Sequence, residues 1–180
     1  LEALLAAGAE KVWSVGGQIQ ELAKMGFEAV PDDYPGQGPL GGVITALRHA
    51  TAETEANPKG GLSESSHLRG TEPNPDRCAM LVLACDLPWV SKQTLREMLA
   101  VLGDPAKVVF PVDEQQRIQY LHGLWRLSSY QPLVRAFRGG ERSVVGGLKY
   151  FEPHSIATCQ VSQPQTLADM DELPGWELEN

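Results

Sequence analysis

The chain has 180 residues, 42% of them hydrophobic, which is enough apolar surface for the core of one domain spanning 1–180. Fifteen lysines and arginines against 23 aspartates and glutamates leave a net charge of −8, excluding a general nucleic-acid surface, where clustered positive charge supplies most of the affinity. The cysteines, Cys78, Cys85 and Cys159, lack C-x-x-C spacing, so reduced thiols in a cytoplasmic protein are expected rather than disulfides or a zinc knuckle.

In chain order, "LEALLAA" has helical apolar spacing up to Gly8, and "KVWSV" is a β-prone run closed by Gly16 and Gly17. The pattern repeats, with "IQELAKM" as a helix, "FEAV" as a strand, and "PDDYPGQG" as a loop opening the helix "PLGGVITALRHA". Alternation of this kind implies a parallel sheet covered by helices. From Thr51 to Asp76 the pattern stops, and the composition, rich in Gly, Pro, Ser and acidic residues, reads as a mobile, solvated insertion. "AMLVLA" is continuously apolar, as expected of a central parallel strand buried on both faces. "SKQTLREMLAVL" follows as a helix with Ser91 at its N-cap, and "KVVFPV" as a strand. "DEQQR" is a polar turn and "QYLHGLWRL" a strand forming a ribbon with its predecessor. "SSYQPLVRAFRGG" reads as a helix, "SVVGGLKYF" as a short helix or turn, and "SIATCQV" as a late strand. No apolar run approaches the roughly 20 residues of a membrane span, and the start lacks a signal-peptide pattern, so a soluble protein is expected.

Three places carry candidate chemistry. Asp86 follows the apolar strand and precedes Leu-Pro, which stops the ladder. In open α/β sheets ligands bind at the carboxyl ends of strands, and magnesium takes one or two carboxylates plus substrate phosphates. A turn carboxylate with no ligand is the plain alternative. "GQGPLGG", Gly36 to Gly42, would let a phosphate or nucleotide edge approach the backbone at a helix N-terminus, although a tight turn with close helix packing explains the glycines equally well. His122, Arg126, Arg138 and Arg142 are candidates for gripping an anion. Exposed charges explain the arginines and a structural histidine explains His122 just as simply. No Ser-His-Asp order, H-E-x-x-H or paired-carboxylate signature appears.

Taken in order, "DDYPGQGPLGGVITAL", "LVLACDLPWVSKQTL", "YLHGLWR", "GGERSV" and "LADMDEL" resemble the motifs of the molybdenum cofactor guanylyltransferases, from Leu1 to about Trp176. The resemblance implies an α/β, Rossmann-like, three-layer nucleotidyltransferase fold with a mostly parallel sheet. It also implies GTP and molybdopterin as substrates, Mg²⁺ as cofactor, and transfer of GMP with release of pyrophosphate. By the same likeness Asp86 would carry the metal together with Asp169, favoured over Asp171 in "DMD". Asp32 matches the acidic position near the nucleotide base, Gly38 opens the following helix, and His122 and Arg142 would face the pterin phosphate. Molybdenum-insertion proteins and molybdoenzyme chaperones are the further partners implied, with no nucleic acid and no membrane.

Two departures stand out. The family's opening strand and "LAGGxSxRMGxDK" loop have no counterpart here, and Leu1 falls on the helix after that loop, so either upstream residues are missing or the chain is a degenerate relative. "VGG", Val15 to Gly17, replaces an Asn that relatives often offer to the nucleotide. The alternatives are a cytidylyltransferase or sugar-phosphate nucleotidyltransferase of the same fold, or a non-catalytic molybdopterin-binding accessory module.

Overall fold

The computed structural model describes residues 2–56, 78–87 and 89–168. Helix α1 (Glu2–Ala7) leads into β1 (Trp13–Val15), and α2 (Ile19–Lys24) into β2 (Glu28–Val30). The two strands pair in parallel, with Trp13 opposite Glu28 and Val15 opposite Val30. Helix α3 (Pro39–Ala56) runs further than its apolar pattern indicates. Residues 51–56, expected in the polar insertion, are its last turns. The hydroxyls of Thr51 and Thr54 donate 2.8 Å bonds to the carbonyls of Leu47 and Ala50, and Glu53 pairs with Lys11 ahead of β1. Polar composition argued against burial there, which is a different matter from helicity. The rest of the insertion, from Asn57, lies outside the described residues.

After β3 (Ala79–Leu83) come α4 (Lys92–Val101), β4 (Val108–Val112), β5 (His122–Arg126), α5 (Tyr130–Arg138), α6 (Val144–Leu148) and β6 (Ile156–Gln160). Ser91 caps α4 as expected, its hydroxyl accepting from the Thr94 N–H at 3.2 Å. The strands form a four-stranded sheet in the order β3-β5-β4-β6. Strand β5 is antiparallel to both β3 and β4, while β6 is parallel to β4. It follows that β3, β4 and β6 point one way and β5 alone points back, a mostly parallel sheet with one reversed strand.

One expectation about this sheet is corrected. The "AMLVLA" run does not form a strand buried on both faces. Among the described residues β3 pairs only with β5, and only Met80 of its five residues is buried. Strand β4 has the buried position instead, with all five residues enclosed. A continuous apolar run reports how apolar a strand's faces are and says nothing of whether strands flank both its edges.

Side chains alternate across the sheet with the two-residue period of a strand. Met80, Val108, Phe110 and Trp125 pack against α3, α5 and α6 on one face, while Val109, Leu124 and Cys159 pack against Met98 of α4 on the other. This gives three layers, helix, sheet and helix. Helix α3 touches both β1 and β3, so it joins the two sheets. No described helix is long and apolar enough to cross a membrane.

Candidate active site

Because β3, β4 and β6 share a direction, their carboxyl ends meet at one edge of the sheet, and the reversed β5 begins there. Asp86 lies in the turn just past β3, exposed to solvent. His122, the first residue of β5, pairs with Leu83, the last residue of β3, and the Ala84 N–H donates to the Leu121 carbonyl at 3.0 Å. These pairings bring His122 alongside the turn that carries Asp86. The imidazole is only 2% exposed, and its Nε2 has no hydrogen-bond partner among the described residues. Burial lowers its pKa to about 4, against a weaker upward pull from the Asp86 carboxylate. His122 is therefore a neutral, enclosed group beside an exposed carboxylate.

Among the described residues no three His, Cys, Asp or Glu side chains are grouped to hold a metal ion. An enclosed protein cage of the structural kind is thus not formed by these residues. A single exposed carboxylate at a strand end fits magnesium, which keeps several waters and takes phosphate oxygens for its remaining positions. Asp169 and Asp171 lie outside the described residues.

A second constellation forms at the start of α3. Gly38, at φ +87°, lies so close to the loop after α5 that a methyl group there would come within 2.8 Å of the Arg142 carbonyl oxygen. That same carbonyl accepts the Leu40 N–H at 3.1 Å. Pro39 has no N–H, and the Gly41 N–H donates to the Gly38 carbonyl at 3.1 Å. The first donors of α3 are thus used within the protein. Of the two readings of "GQGPLGG", close packing is the one the structure displays.

Asp32 is brought to this region and is itself tied down. Its Oδ1 accepts from the Tyr34 N–H at 2.9 Å and from the buried Thr45 hydroxyl at 3.1 Å. The neighbouring Asp33 grips Arg48 with both oxygens, at 2.6 and 3.1 Å. Arg142, in the loop after α5, folds back on the end of that helix. Its Nη1 donates to the carbonyls of Phe137 and Glu141, both at 2.8 Å, and its guanidinium lies 4.0 Å from the centroid of the Phe137 ring. Tyr34, Phe137, Arg138 and Arg142 line a cavity of about 320 Å³ between the two loops. Arg126 is not part of either group, and its Nη2 donates to the Leu102 carbonyl at 3.3 Å.

One residue at the strand ends escaped the sequence reading. Asp113 follows β4 as Asp86 follows β3, and its carboxylate is 8% exposed. It accepts from the Arg117 backbone at 2.8 Å, from Arg117 Nε at 2.6 Å and from Gln119 Nε2 at 3.1 Å. Burial pushes this carboxyl up, but the hydrogen bonds and charge of Arg117 outweigh it and hold the group below its ordinary range. The usable signal was a carboxylate immediately after an apolar strand, the one that singled out Asp86, obscured here by four polar neighbours.

Comparison with known proteins identifies related chains. The family described as "MobA-like NTP transferase domain" matches residues 1–152. A Flavobacterium johnsoniae protein called "Probable molybdenum cofactor guanylyltransferase" is 24% identical over 144 residues, covering 80% of this chain and 62% of its own length. A Clostridium perfringens protein of the same name is 26% identical over 119 residues, covering 66% of this chain and 46% of its own. The chain thus spans only about half to three fifths of these relatives. Among solved structures, a protein from Aquifex aeolicus superposes with a TM-score of 0.63 at 17% identity, over 89% of this chain and 71% of that one. Molybdopterin-guanine dinucleotide biosynthesis protein A from Archaeoglobus fulgidus does so with a TM-score of 0.53 at 18% identity, over 83% and 63%. At these identities the structures establish the shared fold.

Proposed function

We infer the activity from the family: the chain belongs to the MobA-like NTP transferase domain family, and we propose that it serves a guanylyltransferase that transfers GMP from GTP to molybdopterin. The observation that carries the reading is Asp86, exposed at the carboxyl end of β3 beside the enclosed, neutral His122. In the reaction a terminal phosphate oxygen of molybdopterin forms a bond to the α-phosphorus of GTP, the bond to the β-phosphate oxygen breaks, and pyrophosphate leaves. The nucleophile belongs to the substrate, so no side-chain nucleophile is required.

Asp86, with Asp169 as its proposed companion, would hold Mg²⁺, which when bound supplies positive charge to the phosphates. Asp32 holds the loop after β2 in place through Tyr34 and Thr45, which orients the segment next to the nucleotide base. Gly38 allows the close approach of that loop to the Arg142 backbone. His122 and Arg142 are assigned to the pterin phosphate side, His122 as a neutral group and Arg142 through guanidinium donors other than the engaged Nη1. The cytoplasm is the proposed location, with molybdenum-insertion proteins and molybdoenzyme chaperones as further partners.

A second reading, an accessory module that binds molybdopterin without catalysis, is favoured by the closed N-terminus of α3. Titration calorimetry of GTP with MgCl₂, repeated with CTP and with Asp86→Asn, separates the two. Magnesium-dependent GTP binding that is lost in Asp86→Asn supports the transferase. Preference for CTP would redirect it to a cytidylyltransferase, and pterin binding without nucleotide affinity would leave the accessory module.

A further inference from the structure

The cavity between the loop after β2 and the end of α5, about 320 Å³, is of a size that suits a small ligand. Tyr34, Val134 and Phe137 wall it, and Arg138 and Arg142 supply its charge. Phe137 holds two of these side chains in place, with the Tyr34 ring centroid 4.5 Å from its own and the Arg142 guanidinium over its face. The chain carries a net charge of −8, yet among the described residues neither lining arginine is ion-paired. Their acidic neighbours are already engaged, Asp33 with Arg48 and Glu141 with Lys149. Arg138 has no hydrogen-bond partner among the described residues, and Arg142 uses Nη1 alone. A helix C-terminus ordinarily repels an anion. Here the closing carbonyls of Arg135, Ala136 and Phe137 accept from the N–H groups of Gly139, Glu141 and Gly140, which offsets that repulsion.

We propose that this cavity binds a phosphate group, gripped by Arg138 and by the free guanidinium donors of Arg142. Guanidinium matches phosphate oxygens in pairs, and two unpaired guanidinium groups at one concavity have no other charge to meet. The β3–β5 pair contributes no lining residue, so this grip is additional to an ion held at Asp86. Only the source of the phosphate rests on the guanylyltransferase reading, in which it is either the nucleotide triphosphate or the monoester of the acceptor.

Calorimetric titrations at low ionic strength, where screening is least, test the site. The probes are inorganic phosphate, 6-hydroxymethylpterin phosphate, GTP with EDTA and GTP with MgCl₂. The proteins are the wild-type chain, Arg138→Gln, Arg138→Lys and Arg135→Gln, with circular dichroism as the check on folding. Arg135 is exposed on the same helix and does not line the cavity. Phosphate affinity should fall about tenfold in Arg138→Gln, return in part in Arg138→Lys and stay unchanged in Arg135→Gln. Unchanged affinity in Arg138→Gln overturns the proposal. So does a wild-type chain that binds no phosphate, or an equal fall in Arg135→Gln, which would reduce the effect to general surface charge. A parallel fall for the pterin ester, or for GTP in EDTA, supports the site and names its source. A response confined to inorganic phosphate overturns the assignment to these substrates. Absence of GTP binding with MgCl₂ in every protein, with the phosphate pattern as expected, overturns the guanylyltransferase reading and leaves the phosphate site standing.

Discussion

His122 makes folding stability depend on pH in a direction set by its burial. In the unfolded chain it takes a proton near 6.5, and in the folded chain only near 4. Between those values the unfolded state binds more protons, so stability is complete above 6.5 and declines as the pH falls toward 4. At about 1.4 kcal/mol per unit the loss reaches roughly 3 kcal/mol. Urea denaturation at a series of pH values, comparing wild type with His122→Gln, measures it. The variant's curve should be flatter by that amount, and equal slopes would mean that the imidazole meets water. Asp86 behaves in the opposite way under substitution. Because it is exposed, Asp86→Asn should change stability by no more than about 0.5 kcal/mol while removing magnesium-dependent GTP binding. Asp86 was legible from its position after an apolar run. That His122 Nε2 has no hydrogen-bond partner among the described residues was not, since burial of a ring nitrogen depends on the far side of the strand pair, and no spacing in "YLHGLWR" encodes it.

Among the elements, the junction between the start of α3 and the loop after α5 offers a sharp contrast of neighbouring glycines. Gly38 combines a positive φ with the 2.8 Å approach to Arg142, so Gly38→Ala should cost about 1–3 kcal/mol. Gly42, inside α3, has open space where its Cβ would lie, and Gly42→Ala should be neutral or stabilising by up to about 1 kcal/mol. Thermal or urea denaturation of both variants tests the pair, and equal effects would contradict the packing described. Periodicity and cap chemistry revealed α3, α4 and the β4–β5 ribbon, because those signals are local. The extension of α3 was hidden by threonines that satisfy their hydroxyls on the helix itself. The location of β3 was misread because burial on two faces and pairing on two edges leave the same apolar letters in a sequence.

For the molecule as a whole, the sheet divides the interior into two cores, so their contributions to stability should be independent. Ile44 belongs to the core against α3, and Met98 to the core against α4. Ile44→Val should cost about 0.5–1.5 kcal/mol and Met98→Ala about 2–5. The double variant should equal their sum within about 0.5 kcal/mol, as for sites without shared partners. A larger discrepancy in equilibrium denaturation would show that the sheet transmits strain between the layers. Alternation of helix and strand made the layered plan readable from the sequence. The strand order was not, because pairings beyond the β4–β5 ribbon are settled by contacts between segments distant along the chain.

The contact between Gly38 and Arg142 also bears on how the sequence can drift. What excludes a side chain at position 38 is the carbonyl oxygen of residue 142, a group that every amino acid carries. Position 142 can therefore change its side chain through evolution, and its chemistry with it, without ever releasing position 38 from glycine.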